Sequence, residues 1–345
     1  MKFGLFGGAA RGDEHSGDSQ SYRDFIDYVV RADELDFKSL FLVEHHFTGM
    51  GQLSASITLL SYLAGLTKQI RLGTGVTVLP WHNPVLLAEQ AATVDLVSNG
   101  RLDFGIGRGY RPNEFHGFMV DPATAQERFD EAIALILKSW TEQKRWAHKG
   151  SYWQYQDVVV EPQPVQLPHP PIWVAAQSEG SVRKAAANGQ SMLLDQFSDT
   201  ETIGRRINWF RDEQRQNGIA ALPGQIAVTR GLLLVENNDQ RDSQIKQRLT
   251  AIEALAATAR VPGTEEKAPV VGSKMLDSSR EGTEASTIIG TPEDCIARLN
   301  ELADVGVDYV LLNDPTGGLK RLEFFARDVM PAFTQQTDAK PMAAE

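Results

Sequence analysis

Three consecutive side chains that can move protons, those of Glu44, His45 and His46, directly follow the apolar run at residues 39–43. Imidazoles and carboxylates act as general acids and bases, and they also bind metal ions. Adjacent residues of a strand point to opposite sides, whereas a metal-binding strand commonly carries two histidines on one side. We therefore expect one imidazole to line a pocket and the other to pack outside it, with no metal bound. Polar capping of a strand end is the alternative.

Two further segments carry groups that suit an anion. The run GIGRG at 105–109 places Arg108 among glycines, which let a ligand approach the backbone, and the arginine fork suits a phosphate. Gln177, Ser178 and Ser181 stand where a strand passes into a helix, and free N–H groups at a helix start attract anions. A tight turn and an ordinary serine N-cap would explain the same residues. Because both segments follow strands, we expect them to share one phosphate.

These residues come at the ends of short apolar runs that alternate with longer amphipathic stretches. Such alternation is typical of repeated βα units and a parallel sheet. The strand candidates are residues 2–6, 39–43, 70–79, 102–106, 172–176, 191–194, 225–235 and 308–312. Eight βα units in 345 residues favour a (β/α)8 TIM barrel over an open doubly wound sheet. Barrels hold their active sites at the carboxyl ends of the strands, where the residues above are found.

Residues 1–333 are predicted to form a single barrel domain. Residues 257–286 lack a sustained period and are rich in Gly, Pro, Ser, Thr and Glu, so we expect a long mobile loop before the last βα unit. Residues 334–345 are predicted to be a frayed tail. The helical stretch 84–97 carries Val85, Ala88, Ala91 and Ala92, and small side chains predict close packing across a two-fold homodimer. The alternative is that these residues face the barrel.

Charge and cysteine content limit the partners and the compartment. The chain has 45 acidic and 34 basic side chains, a formal net charge of −11, and no compact Lys/Arg block. This balance argues against nucleic acid or an anionic membrane as the partner and favours a small molecule. The single cysteine, Cys295, cannot form an internal disulfide, and no apolar run approaches the ~18 residues that span a bilayer. We expect a cytoplasmic location.

Short motifs along the chain form a recognisable set. They are MKFGLF at 1–6, VEHHFT at 43–48, GTGV at 73–76 before LP at 79–80, GRL at 100–102 leading to GIGRG at 105–109, GTPE at 290–293 and DVMP at 328–331. In order and spacing, this set resembles the bacterial luciferase family of flavin-dependent monooxygenases. The resemblance runs from residue 1 to about residue 333 and is weakest at 257–286.

The resemblance implies a (β/α)8 barrel that uses reduced FMN, delivered by a separate flavin reductase. In such enzymes O2 is activated as a flavin C4a-hydroperoxide, and one oxygen atom is inserted into a small organic substrate. By this likeness His45 matches the catalytic histidine, and Glu114 stands where luciferase has an aspartate important for activity. The peptide between Gly75 and Val76 matches a cis bond packed under the flavin ring. The flavin-phosphate contacts are matched by Arg108, Ser178 and Ser181, with Gln177 in place of a glutamate.

The chain also departs from the luciferase pattern. Gly107 replaces the reactive cysteine of the catalytic subunit, and Asn83 stands where many relatives have a histidine. The resemblance therefore does not imply light emission. Family members that have one kind of chain are commonly homodimers, so the resemblance implies a homodimer. A deazaflavin-dependent oxidoreductase of the same superfamily, which transfers hydride without activating oxygen, is the nearest alternative function. A non-catalytic flavin-binding subunit and a metal-dependent hydrolase are further alternatives.

Overall fold

The computed structural model describes residues 1–9, 17–49, 53–257, 279–314 and 318–334. The strands in these ranges are β1 (Lys2–Gly7), β2 (Ser39–Leu42), β3 (Arg71–Thr74), β4 (Thr77–Val78), β5 (Leu102–Gly107), β6 (Trp146–Lys149), β7 (Gln154–Val158), β8 (Ile172–Ala175), β9 (Ser191–Leu194), β10 (Ile226–Leu234), β11 (Thr287–Gly290) and β12 (Tyr309–Asn313). The helices are α1 (Gly17–Glu34), α2 (Ser56–Leu66), α3 (Pro84–Val97), α4 (Pro112–Gly117), α5 (Ala125–Thr141), α6 (Glu179–Ala187), α7 (Thr200–Gln216), α8 (Arg241–Ala257), α9 (Arg280–Ser286), α10 (Pro292–Asp304), α11 (Gly318–Asp328) and α12 (Pro331–Thr334). None of these described helices is long and apolar enough to cross a membrane.

Eight parallel strands close into a barrel, which confirms the predicted (β/α)8 fold. They pair in the order β1-β2-β3-β5-β8-β9-β10-β12, and β12 pairs with β1 to close the ring, with Lys2 opposite Tyr309. Because all eight strands run the same way, their carboxyl ends meet at one rim. The segments that begin at Glu44, Arg108 and Gln177 all follow barrel strands and therefore lie at that rim.

Strand residues alternate between the barrel interior and the layer of surrounding helices. On β2, Phe41 packs inside the barrel, whereas Leu40 and Leu42 belong to the core shared with the helices. The buried interior residues are Phe41, Trp173, Leu193, Ala227, Tyr309 and Leu311. Ala175, two residues beyond Trp173 on β8, is exposed, so the interior opens to solvent at the rim.

The predicted strand 70–79 is two strands. β3 pairs with β2 and β5, while β4 pairs with β5, and Gly75 and Val76 lie between them. The antiparallel hairpin of β6 and β7, which lies outside the barrel sheet, was not predicted. The short strand β11 was not predicted either. It extends the sheet by pairing with residues 231–234, the C-terminal end of β10.

Helices occupy both ends of the range 257–286, which was predicted to be a mobile loop. Ala257 is the last residue of α8, and residues 280–286 form α9, which begins at an N-cap in which Ser279 Oγ accepts from Gly282 N. Residues 258–278 lie outside the described residues. The tail predicted from 334 onward also lies outside them, except that Thr334 ends α12.

The face of α3 predicted to meet a second copy is instead buried in this chain. Ala88, Ala91 and Ala92 are fully buried in the core that the helices share with the barrel. The small side chains let α3 pack closely against the barrel strands. This packing accounts for the run of small residues without a second copy of the chain. The exposed apolar residues on this side are Tyr62 and Leu66 of α2 and Leu86, Leu96 and Val97 of α3.

Candidate active site

A histidine and a carboxylate that are far apart in sequence meet at the rim. His45 follows β2, and Glu114 lies on α4, which starts shortly after β5 ends. Nδ1 of His45 lies 3.1 Å from Oε1 of Glu114. The same oxygen accepts the backbone N–H of His46 at 3.0 Å. The Glu114 side chain is only 2% exposed and that of His45 is 16% exposed, so the carboxylate orients the ring from the protein side.

The surroundings of His45 favour a neutral imidazole. Burial lowers its pKa, and the nearby charge of Arg111 acts in the same direction, while the hydrogen bond with Glu114 opposes them. A carboxylate oxygen accepts, so the proton of the neutral ring resides on Nδ1 and Nε2 keeps a lone pair. His45 is therefore arranged to accept a proton or a hydrogen bond through Nε2.

His46 belongs to a second cluster, which we call the outer cluster: Glu44, His46, Trp81 and His82. Oε1 of Glu44 lies 3.0 Å from His46 Nε2 and 2.8 Å from His82 Nε2, and it accepts from Trp81 Nε1 at 3.1 Å. Burial alone would raise the pKa of Glu44, but these hydrogen bonds and the charge of His82 hold it at about 2. Among the described residues, no set of His, Cys, Asp and Glu has an arrangement that could hold a metal ion.

The two histidines therefore have different neighbours, as predicted, although both lie beyond the end of β2 at Leu42, so strand alternation is not the cause. The His46 ring packs edge-on against Phe118 at 4.8 Å between ring centroids and against Trp81 at 6.3 Å. A cavity of about 320 Å³ lies beside the outer cluster, between the starts of α2 and α3, and is lined by His46 but not by His45. The catalytic role of His45 and the structural role of His46 stay predictions.

The peptide between Gly75 and Val76 is cis, as the resemblance implies. A Cβ placed on Gly75 would come within 2.8 Å of the Phe6 ring. A Cβ on Gly107 would lie 2.5 Å from Val76 Cγ2. Val76 thus occupies the space that a cysteine side chain at position 107 would need, which explains in packing terms why this chain carries a glycine there.

The predicted anion site has the expected donors on two neighbouring strands. Arg108 directly follows β5, and β5 pairs with β8, whose chain continues through Gln177 to Ser178. Ser178 Oγ caps α6 by accepting from Ser181 N at 3.3 Å, and both serines are exposed or half-buried. Arg108 is exposed, and its hydrogen bond goes to the neutral amide of Gln126 at 3.3 Å. A guanidinium, two hydroxyls and a helix N-terminus on one rim fit a flavin phosphate.

Sequence reasoning did not find several polar residues that hold this rim together. Arg206 donates to the carbonyl oxygen of Gln177 at 2.9 Å and to Asp195 Oδ2 at 2.7 Å, which ties the loop after β8 to the loop after β9. Arg230 of β10 is buried, and desolvation lowers its pKa to about 10. The signal available in the sequence was an arginine inside an otherwise apolar strand, IAVTRGLLL.

The chain is a (β/α)8 barrel whose rim carries a histidine oriented by a carboxylate and hydrogen-bond donors that suit a phosphate. These features fit the class of barrels that bind a phosphate-bearing cofactor. The sequence model of luciferase-like monooxygenases matches residues 1–309. The chain therefore belongs to the luciferase-like monooxygenase family.

Individual relatives extend this comparison. The chain is 36% identical over 191 residues to the oxygenase component of a flavin-dependent trigonelline monooxygenase from Acinetobacter baylyi. The match covers 55% of this chain and 52% of that protein, so this chain spans about half the length of the relative. The crystal structure of the monooxygenase RslO1 from Streptomyces bottropensis has a TM-score of 0.84 at 26% identity and covers 97% of this chain and 100% of that one. An F420-dependent secondary alcohol dehydrogenase, with a TM-score of 0.76 at 15% identity over 98% of this chain and 99% of that one, shares the fold.

Proposed function

We propose that this protein is the oxygenase of a two-component flavin monooxygenase, which uses reduced FMN and O2 to insert one oxygen atom into a small organic substrate. The observation that carries the proposal is the pairing of His45 with Glu114 at the same rim as the phosphate-type donors. The trigonelline relative is named as a flavin-dependent oxygenase component, which supports both the flavin and a separate reductase.

Each residue of the site has a part in this function. Arg108, Ser178, Ser181 and the N-terminus of α6 bind the phosphate of FMN, and Gln177 positions that loop through its contact with Arg206. Reduced FMN, when bound, supplies the two electrons that reduce O2, so that one oxygen atom enters the substrate and the other leaves as water. The neutral ring of His45 accepts a proton or a hydrogen bond at Nε2 beside the reacting groups, and Glu114 fixes the tautomer.

The experiment that tests this proposal follows the oxygen atom. Purified protein, chemically reduced FMN and ¹⁸O2 are mixed with a panel of small organic compounds, and the products are analysed by mass spectrometry. One ¹⁸O atom per product molecule is the expected result. No labelled product from any compound, with flavin oxidation alone, would contradict the proposal.

Hydride transfer with a reduced deazaflavin is the second candidate, because an F420-dependent enzyme shares the fold. The two candidates differ in their need for oxygen. Product formed with reduced F420 under strictly anaerobic conditions would establish the alternative, whereas the monooxygenase makes no product without O2.

We also propose that the protein is a homodimer. The side chains of Tyr62, Leu66, Leu86, Leu96 and Val97 give α2 and α3 an exposed apolar surface, which we call the α2–α3 surface. Two relatives are named as the alpha and the beta chain of one kind of enzyme, alkanal monooxygenase, so a chain of the same fold is the partner that this comparison supports. In a two-fold dimer, the α2–α3 surface of one copy would cover that of the other.

A further inference from the structure

One guanidinium at the rim has hydrogen-bond donors that the described residues leave unused. Arg248 lies on α8, and its Nη2 donates to Oε1 of Gln196 at 2.7 Å. Its Nε–H is buried and has no hydrogen-bond partner in the part of the chain that the structure describes. A buried charged donor without a partner destabilises the folded protein. A ligand that accepts from this group would remove that cost.

Arg248 reaches the interior side of the barrel. A Cβ on Gly231 would lie 2.8 Å from Nη2 and 3.2 Å from Nε of Arg248, so the guanidinium occupies the space that the glycine leaves free. Gly231 lies four residues beyond Ala227, an interior residue, on a strand whose register with β12 is unbroken between them. Residues four apart on a strand share a face. Arg248 therefore lies over the interior face of β10, at the end of the barrel where His45 lies.

The helix that carries Arg248 is held firmly. Ile245 and Leu249 of α8 pack with Leu233 of β10 and Ile289 of β11 in one apolar cluster. The guanidinium is therefore positioned from a packed helix and by the Gln196 amide.

The neighbouring carboxylates are already paired with other arginines. Asp195 binds Arg206 at 2.7 Å, and Asp314 binds Arg321 at 2.6 Å. Burial lowers the pKa of Arg248, and the charge of Asp314 opposes this. The Asp314 charge therefore acts on the guanidinium from a distance, but neither carboxylate accepts a hydrogen bond from Arg248, and its Nε–H stays open to an acceptor from outside the chain.

We propose that Arg248, with Gln196, binds an anionic group of the organic substrate, a carboxylate, at the barrel rim. This rests on the proposed function. Nε–H and a second N–H of a guanidinium form a planar fork that matches the two oxygens of a carboxylate, and the nearby amide of Gln196 fixes the fork. The substrate class is thereby narrowed to small organic acids whose reacting part extends toward His45.

The flavin phosphate is the other possible source of an anion at this rim. Its proposed donors follow β5 and β8, whereas Arg248 lies over β10, which is separated from β8 by β9. The two sources make different predictions for riboflavin, which lacks the phosphate.

The test measures binding and does not require turnover. Calorimetry on FMN-loaded protein compares acetate, benzoate and nicotinate with acetamide, benzamide and nicotinamide. We expect at least one acid to bind about 10-fold or more tightly than its amide, which is the effect of one charge-assisted hydrogen bond. The preference should be lost in Arg248→Met and reduced in Gly231→Ala, whose new Cβ displaces the guanidinium without removing its charge. Arg215→Met, at an exposed arginine of α7, is the matched control and should keep the preference.

Three results would overturn the proposal. They are the absence of any acid preference in the wild type, an unchanged preference in both Arg248→Met and Gly231→Ala, and a fall in the FMN-to-riboflavin affinity ratio of Arg248→Met, which would assign the anion to the flavin. Because oxygen incorporation is measured separately, each of these results leaves the test of the monooxygenase reaction unaffected.

Discussion

His45 and Glu114 lie 69 positions apart in the sequence, yet Nδ1 of the first and Oε1 of the second are 3.1 Å apart. The contact fixes which ring nitrogen carries the proton and leaves Nε2 facing away from the carboxylate. The barrel brings the two residues together because β2 is separated from β5 by β3 alone.

Replacing the catalytic imidazole should abolish most product formation. We expect His45→Ala to lower the rate of product formation about 10²- to 10⁴-fold, the usual contribution of general acid–base assistance, with FMN binding and the fold nearly intact. His46→Ala is the matched control on the adjacent residue, and it should lower the melting temperature more than the turnover. Equal product yields from His45→Ala and wild type, with the same reduced flavin and saturating substrate, would show that the imidazole is not catalytic.

Glu114→Gln tests the positioning role through pH. The hydrogen bond and charge of Glu114 raise the pKa of His45 against the lowering effect of burial. The amide that this substitution introduces carries no charge and is a weaker acceptor, so the pKa falls further and the limb of the kcat/KM profile that His45 produces should move to lower pH. Glu131→Gln removes the carboxylate from another His–Glu pair, whose His148 Nε2 to Glu131 Oε1 distance is 3.0 Å, and it should leave the limb in place. A profile that does not move in Glu114→Gln would remove this role.

The flavin should be bound largely through its phosphate. Arg108→Ala is expected to weaken FMN binding by ~1.5–3 kcal/mol, the value of a charge-assisted contact, and to leave riboflavin binding unchanged. Fluorescence titration of both flavins measures the difference, with Arg215→Ala as the exposed control. If wild-type protein binds FMN and riboflavin equally well, the anion site has been assigned to the wrong residues.

Glu44 should make stability depend on acid pH. Its pKa is about 2 in the folded protein against 4.5 ordinarily, so the unfolded chain takes up this proton first as the pH falls. The stabilisation is complete above pH 4.5 and is lost on acidification, at about 1.4 kcal/mol per pH unit between these values. Urea unfolding at pH 4 and pH 3 should show a shallower loss in Glu44→Gln. Glu236→Gln, at an exposed carboxylate, should match the wild type, and equal slopes in all three proteins would contradict the assignment.

The α2–α3 surface should control the oligomeric state. Leu86→Glu and Val97→Glu place charges on it and are expected to convert a dimer into a monomer at micromolar concentration, as measured by light scattering. Leu222→Glu changes an equally exposed leucine elsewhere and should remain dimeric. A monomeric wild type would refute the dimer itself.

The sequence sufficed for the barrel but not for the contacts across it. Short, nearly continuous apolar runs predicted all eight barrel strands, because a buried strand must be apolar on both faces. β11 is as short as β2 and β9, but it lies outside the eight βα units, and its pairing depends on residues 231–234, most of which lie past the pairing of β10 with β12. On α3, the small residues fitted equally well a partner helix and the barrel wall, and only the structure shows that Ala88 faces the barrel.

The sequence likewise predicted some residues of the candidate site but not the contacts among them. The expectation that His45 and His46 have different neighbours is met, although both follow the end of β2 at Leu42 and strand alternation does not extend to them. The family resemblance supplied Glu114. Neither could show that Trp81 and His82 converge on Glu44, since that requires the turn after β4 to lie against the end of β2. The apolar residues Ile245 and Leu249 predict only that one face of α8 is buried. The contact of the Arg248 guanidinium with Gly231 depends on tertiary packing, which the sequence does not show.

Closure of the barrel through β1 and β12 affects how the chain is made. Lys2 finds its partner Tyr309 about 300 residues later, so the first strand emerges from the ribosome long before the strand that completes its pairing. Until then the nascent barrel has an open edge at β1, with backbone groups ready to pair with another chain. The barrel therefore cannot close until translation has passed β12, and the edge of β1 stays unpaired on that side for the whole of this time.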